Sequence, residues 1–278
     1  MISKCHAMCT AVDSAGFGGI GEVVKLQFLF GQPVLPAKPI ADGPRQTFIL
    51  GAYPSALHIS WHVPGQRLPI RAVAVDNEPE PFWTGEDEQQ RINRWCEAVS
   101  FSSRWGRVEP CGQYNGSSGV WVRTRVLDAF RIQHTSAWIT DCLDTYHEST
   151  RATNRLDSNP ISEAIQRLGI APRHHLPHPS QTDIVKGAVR DHLRRLSEEL
   201  HTARPDRIVT LGNAALQVFN SLVQTGGSQI RRLSADETYG TALSVRVDGR
   251  PVEWIPLAHP AAPKVYQVAH DRWMKGVK

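Results

Sequence analysis

Strand-like runs in this sequence stop at residues that can do chemistry. The apolar run at 47–50 ends in Gly51-Ala52-Tyr53-Pro54-Ser55, where Gly and Pro cannot continue a sheet. The run at 136–141 stops at a carboxylate, Asp141, and the run at 252–257 leads into an imidazole, His259. An imidazole so placed can donate to a carbonyl oxygen as negative charge builds there. Asp76, Glu78 and Glu80 crowd another strand end and could hold a water or face a developing cation. Phe82 offers an aromatic face just beyond them, and Asn115, Ser117 and Ser118 surround glycines at a helix start, where hydroxyls and free N–H groups suit phosphate. Each has an ordinary structural reading too: His259 on a backbone carbonyl, Phe82 in the core, the serines as helix caps, the acids as a solvated loop.

These residues need a scaffold that brings strand ends together. A fourth run, 207–211, passes through Gly212 directly into a helix, and 70–75 is a further β-type run. Apolar spacing predicts helices over 87–100, 122–130, 161–168 (stopped by Gly169), 184–200 and 265–274. On the 184–200 helix, Arg190, Arg194 and Arg195 fall on the solvated side. Asp248-Gly249 predicts a hairpin between 243–247 and the run from 252. Residues 58–69 read as turn-rich, 146–160 as irregular, and 171–180 as a loop. Glycines and prolines make 1–46 an arm, in which 23–30 could add an edge strand, ahead of a single domain over 47–278. Strands alternating with helices imply an α/β fold with a parallel sheet covered on both faces.

The whole chain sets broad limits. At 278 residues it can bury a full core. Mean hydropathy is −0.32, and no apolar run approaches the ~18 residues of a membrane span. No secretory signal is visible, and five cysteines suit reduced thiols, so a cytoplasmic monomer is expected. A net charge of +4 is compatible with DNA.

Taken in order, Gly51-x-x-Pro54, the strand ending at Asp141, Leu211-Gly212-x-x-Ala215-Leu216 and His259-Pro260 resemble the motifs of the uracil-DNA glycosylase superfamily. The likeness spans roughly residues 47–273. It implies a three-layer α/β/α sandwich around about four to five mainly parallel strands. It also implies hydrolysis of the N-glycosidic bond of a flipped-out base, without a cofactor. By resemblance, His259 stabilises the leaving base, Phe82 stacks on it, and Gly51, Tyr53, Ser55 and Asp141 surround it. The residues themselves offer Asp76 or Glu78 to hold the water and Asn115, Ser117 and Ser118 to touch DNA, and by resemblance Lys264 also touches DNA.

The departures from that pattern matter. Tyr53 stands where the best-known branch has its catalytic Asp, and Asp87 follows Gly85 where another branch keeps an acid. Ala261 and Ala262 replace the usual Ser after His-Pro. Asp141 replaces the Asn that reads uracil; a carboxylate only accepts, which suits the amino group of cytosine. Ser55 replaces a Tyr that blocks any C5 substituent. Together they point to a 5-substituted cytosine, such as hydroxymethylated or glucosylated phage DNA. The rivals are a uracil repair glycosylase, an inactive DNA-binding relative, and an α/β hydrolase that lacks its Gly-x-Ser-x-Gly elbow. No metal is expected: Cys5, Cys9, Cys96 and Cys111 are ordered wrongly for the superfamily's iron–sulfur branch, and His174, His175 and His178 have no Cys pair beside them.

Overall fold

The computed structural model describes residues 26–39, 41–174, 176–223 and 230–277. Along the chain come β1 (Thr47–Gly51), β2 (Ala56–His62), β3 (Ile70–Asn77), α1 (Glu88–Ala98), β4 (Arg107–Pro110), α2 (Ser117–Trp121), β5 (Ala137–Asp141) and β6 (His147–Glu148). They are followed by α3 (Thr150–Leu156), α4 (Asn159–Arg167), β7 (Leu176–Pro177), α5 (Gln181–Gly187), α6 (Leu193–Ala203) and β8 (Arg207–Leu211). The last elements are α7 (Asn213–Leu222), β9 (Leu243–Val247), β10 (Arg250–Leu257) and α8 (Lys264–Gly276). A π-helical turn, Val122–Leu127, prolongs α2, and another, Ala188–His192, joins α5 to α6.

Every residue of β1 is buried. A strand with no polar face must be covered on both sides, which places it inside a parallel sheet. It pairs in parallel with β5 on one side and β8 on the other; β10 adds in parallel and β9 closes antiparallel, giving β5-β1-β8-β10-β9. Alternation along the strands divides the core. Phe48, Leu50 and Ile208 pack with Ile184, Leu196 and Phe219 of α5, α6 and α7. Ile49, Ile139 and Val209 pack with Val122 and Val126 on the other face. This is the α/β/α sandwich expected, with five strands. The β9–β10 turn has φ of 48° at Asp248 and 76° at Gly249, the pair of positive angles that a type I′ turn needs.

A second, antiparallel sheet of order β3-β2-β4 was not foreseen. Residues 58–69, expected as turns, begin as β2. Leu57, Ile59 and Trp61 alternate there with His58, Ser60 and His62, the period of a half-buried strand. The arm is also corrected. Phe28, Leu29, Phe30 and Val34 are buried, and Phe30 lies 5.3–5.6 Å from the rings of Trp61, Trp95, Phe101 and Trp105. Of the expected edge strand, 26–30 makes only single bridges from Gln27 to Pro33 and His174, and 1–25 lie outside the described residues. Residues 146–160 hold β6, α3 and the start of α4, with Ser149 capping α3 by accepting from the Ala152 N–H.

The long helix predicted over 184–200 is broken by the π turn, which holds more residues per turn and shifts the phase of the residues beyond it. Val189, inside that turn, is exposed. Arg190 and Arg194 are solvated as expected, whereas Arg195 is turned onto the sheet.

Phe30→Ala should cost about 3–5 kcal/mol in urea unfolding, the usual loss for a buried Phe. A change near zero would show that residues 26–39 contribute nothing to the core.

Candidate active site

Register brings the strand ends to one edge. Gly51 pairs with Asp141, Leu50 with Thr210, and Leu257 with Leu211. Because β1 lies between β5 and β8, the chain order switches here, and open α/β sheets bind ligands at such points. A cavity of about 640 Å³ opens there. Tyr53, Ser55, Glu78, Phe82, Asp141 and His259, from four separate stretches of chain, all line it.

Gly51 permits the closest approach. A methyl group on its Cα would collide with the Asp141 carboxyl and lie 2.7 Å from the edge of the Phe82 ring. Asp141 is only 4% exposed, and its Oδ1 has no hydrogen-bond partner. Burial raises its pKa to about 7, with nearby Arg195 opposing the rise and Glu199 adding to it.

Arg195 is the neighbour of Asp141 that sequence reasoning missed. Its guanidinium donates to the carbonyls of Asp141 (2.8 Å) and Cys142 (3.1 Å), to Thr140 Oγ1 (3.2 Å) and to Glu199 Oε1 (2.7 Å). Trp138 Nε1 donates to the other oxygen of Glu199 at 3.1 Å. The available signal was Glu199 itself, an acid on the apolar stripe between Leu196 and Leu200, four residues after an arginine.

Phe82 holds a left-handed φ of 58°. Gly119 secures that loop, since a side chain there would strike the carbonyl oxygens of Phe82 and Trp83. Asn115, expected at DNA, is instead buried. Its Nδ2 donates to the His58 carbonyl (2.7 Å) and to Glu88, and its Oδ1 accepts from the His58 N–H (2.8 Å), so it clamps β2 to α1. Ser117 and Ser118 do line the cavity.

The two acids weighed equally in the sequence separate. Glu78 lines the cavity and accepts from the Ser55 N–H at 2.8 Å. Burial pushes its pKa well up, and the charge of Asp141 adds to this. Asp76 is absent from the cavity wall, because its Oδ1 folds back onto the N–H and Nδ2 of Asn77. Asp87 is occupied by Trp83, Arg91 and Arg94.

His259 Nδ1 accepts from the Ala261 N–H at 3.1 Å, and burial lowers the pKa of the ring. The neutral imidazole therefore carries its proton on Nε2, the nitrogen left to donate. Beside it, Gly212 (φ 92°) turns β8 into α7, whose first residues also line the cavity. His58 was overlooked: it lines the cavity with Nδ1 unpartnered, and burial lowers its pKa to about 4. Tyr53 stands edge-on to His147 (5.3 Å) and His178 (5.7 Å). Lys264 is exposed at the start of α8, away from the cavity wall.

Of the metal candidates, His174 bridges to Gln27, while His175, Cys5 and Cys9 lie outside the described residues. Cys111 Sγ accepts from Ser60 Oγ and the Ala72 N–H. Among the described residues, no group of three or more His, Cys, Asp or Glu is placed to hold a metal ion, and no helix is long and apolar enough to cross a membrane.

Arg195→Met should destabilise the fold by about 3 kcal/mol, because Glu199 is left buried without its cation. Adding Glu199→Gln should recover part of that loss in denaturant melts. Equal stability of the single and double variants would show that the pair is not coupled.

Neither protein-family models nor curated proteins match the chain, so its own residues carry the functional reading.

Proposed function

We propose that this chain is a DNA glycosylase, a cytoplasmic monomer that hydrolyses the N-glycosidic bond of a base turned out of the helix. The observation that carries this reading is the meeting, in one cavity, of an aromatic ring, a buried carboxyl with an unpartnered oxygen, a second carboxyl and a neutral imidazole. Each group matches one need of the reaction. Phe82 stacks against the flipped base, and Asp141 Oδ1 meets its exocyclic edge. As the bond from the sugar carbon to the base nitrogen breaks, its electron pair passes into the base. His259 Nε2–H then donates to the base carbonyl oxygen where that charge collects. Glu78, as its carboxylate, orients the water that adds to the sugar carbon and takes its proton; burial raises its pKa, which makes that carboxylate the stronger base. Ser117 and Ser118 are left as contacts to the strand.

The preferred base is a cytosine with a substituent at C5. Asp141 as a carboxylate accepts from an amino group, and Ser55 leaves the C5 side open. Unmodified cytosine would be a self-destructive substrate, so the substituent must discriminate. Modified phage DNA fits, and makes the protein a defence enzyme. One observation favours uracil as a second reading: with a pKa of about 7, Asp141 is partly protonated at neutral pH, and a carboxylic acid donates as well as accepts, like an amide.

The direct experiment is alkali-induced strand cleavage after incubation with oligonucleotides holding uracil, cytosine or modified cytosines. Cleavage of none would leave a DNA-binding module at most. His259→Ala should slow excision by ~10²–10³ while thermal stability is kept; activity lost only in step with melting temperature would make His259 structural.

The pH dependence of base choice follows from Asp141. Above about 7 the carboxylate predominates and favours cytosine-type bases; below it the acid can donate to uracil. The ratio of modified-cytosine to uracil excision should therefore rise with pH through that value. Asp141→Asn should flatten the profile and lower the ratio by roughly 10–100-fold, the worth of one polar contact. An unchanged ratio in single-turnover rates would remove Asp141 from base reading.

A further inference from the structure

The cavity extends beyond the groups that the reaction uses. Its volume of about 640 Å³ is in the range that encloses a drug-sized ligand, about 300–1,000 Å³, rather than one flat ring. Beyond Tyr53 the wall is built by Ser149, Arg151 and Arg155 from the start and body of α3, and by His178 and Gln181 from the approach to α5. Two features of this region call for a ligand. Arg155 Nε is buried with no hydrogen-bond partner. The neighbouring acids are also taken, since Glu148 and Asp157 both pair with Arg173. Burying a guanidinium nitrogen without an acceptor is costly, and an oxygen-rich group held by the part of Arg155 that lines the cavity would offset some of that cost.

The chemistry of the wall narrows the ligand. Among the described residues of this region, no carboxylate is available to balance a cation, so an amino-bearing group is disfavoured. The hydroxyl of Ser149, the amide of Gln181 and the imidazole of His178 combine donors with acceptors, and hydroxyl groups require both. Tyr53 and Tyr146 add aromatic surface to the same cavity. Ser55, small and exposed, leaves the base end open towards solvent instead of walling it off.

We infer that this region is a second subsite, in which Arg151 and Arg155 with Ser149, His178 and Gln181 hold a polyhydroxyl group, a sugar, carried by the excised base. The inference rests on the glycosylase reading and assigns the residues that choose among its substrates. The subsite makes no contact with the reacting bond. It selects by adding binding for a decorated base that a bare base cannot obtain.

The test uses the full chain and two otherwise identical oligonucleotides, one with 5-hydroxymethylcytosine and one with its glucosylated form. Wild-type protein should excise the glucosylated base faster. Arg155→Gln and Arg151→Ala should each lower the ratio of glucosylated to hydroxymethylated excision by ~10-fold or more, the worth of a charge-assisted hydrogen bond. Thermal melting of each variant checks the fold, and the ratio within one preparation is insensitive to partial unfolding. Equal loss on both substrates would mean that the arginines grip backbone phosphate, and an unchanged ratio would mean that they grip nothing; either overturns the subsite. If wild-type protein excises hydroxymethylcytosine but not the glucosylated base, the subsite fails while the glycosylase reading stands. If it excises no base from any oligonucleotide, both fail.

Discussion

A single guanidinium, that of Arg195, fixes where strand β5 ends. It bonds two successive carbonyls, Asp141 and Cys142, just where the sheet stops supplying partners, and it is neutralised by Glu199 behind it. Backbone carbonyls that leave a sheet inside a protein must find donors, and a planar fork can satisfy several at once. The consequence falls on the Asp141 side chain. With the main chain held from behind, its carboxyl projects past Gly51 into the cavity and lies against Phe82.

The electrostatic character of the site comes from the same enclosure. Burial moves acids up and bases down, and both directions appear: Asp141 and Glu78 are raised, His58 and His259 lowered. All four groups are thereby pushed toward neutrality. A site of this kind accepts a flat, uncharged ring at low desolvation cost. It then responds strongly when charge develops on that ring, because the groups that face it are themselves buried and weakly screened.

The central sheet was legible because parallel strands buried on both faces are written as unbroken apolar runs, and their ends stand out as Gly51, Asp141, Gly212 and His259. Other parts were hidden for identifiable reasons. Strand β2 carries two histidines and a serine on its alternate positions, which reads as a polar turn unless the period of two is counted. Arg195 was hidden by its type: a guanidinium reads as solvated, although it stands seven residues after Ala188 and four before Glu199, on the same side of the helix. Asp76 and Glu78 are two residues apart and indistinguishable by type. What separates them is that β3 ends at Asn77, so one carboxylate is spent on the strand end and the other is released to the cavity. Asn115 looked like a phosphate contact beside its glycines, but an Asn can also satisfy both backbone groups of one residue, and it does so at His58.

The backbone at Phe82 has one more implication. A bulky residue held at φ 58° stores on the order of 1–3 kcal/mol, and it persists because Gly119 lets α2 press directly on the loop carbonyls. The ring is thus set before any ligand arrives, and nothing about it relaxes once a ligand's bonds have changed. On the proposed reaction, the freed base faces the same rigid surface that received it. Its departure, rather than the cleavage, is then the step that such a shelf would slow, and the enzyme would be prone to retention of its own product.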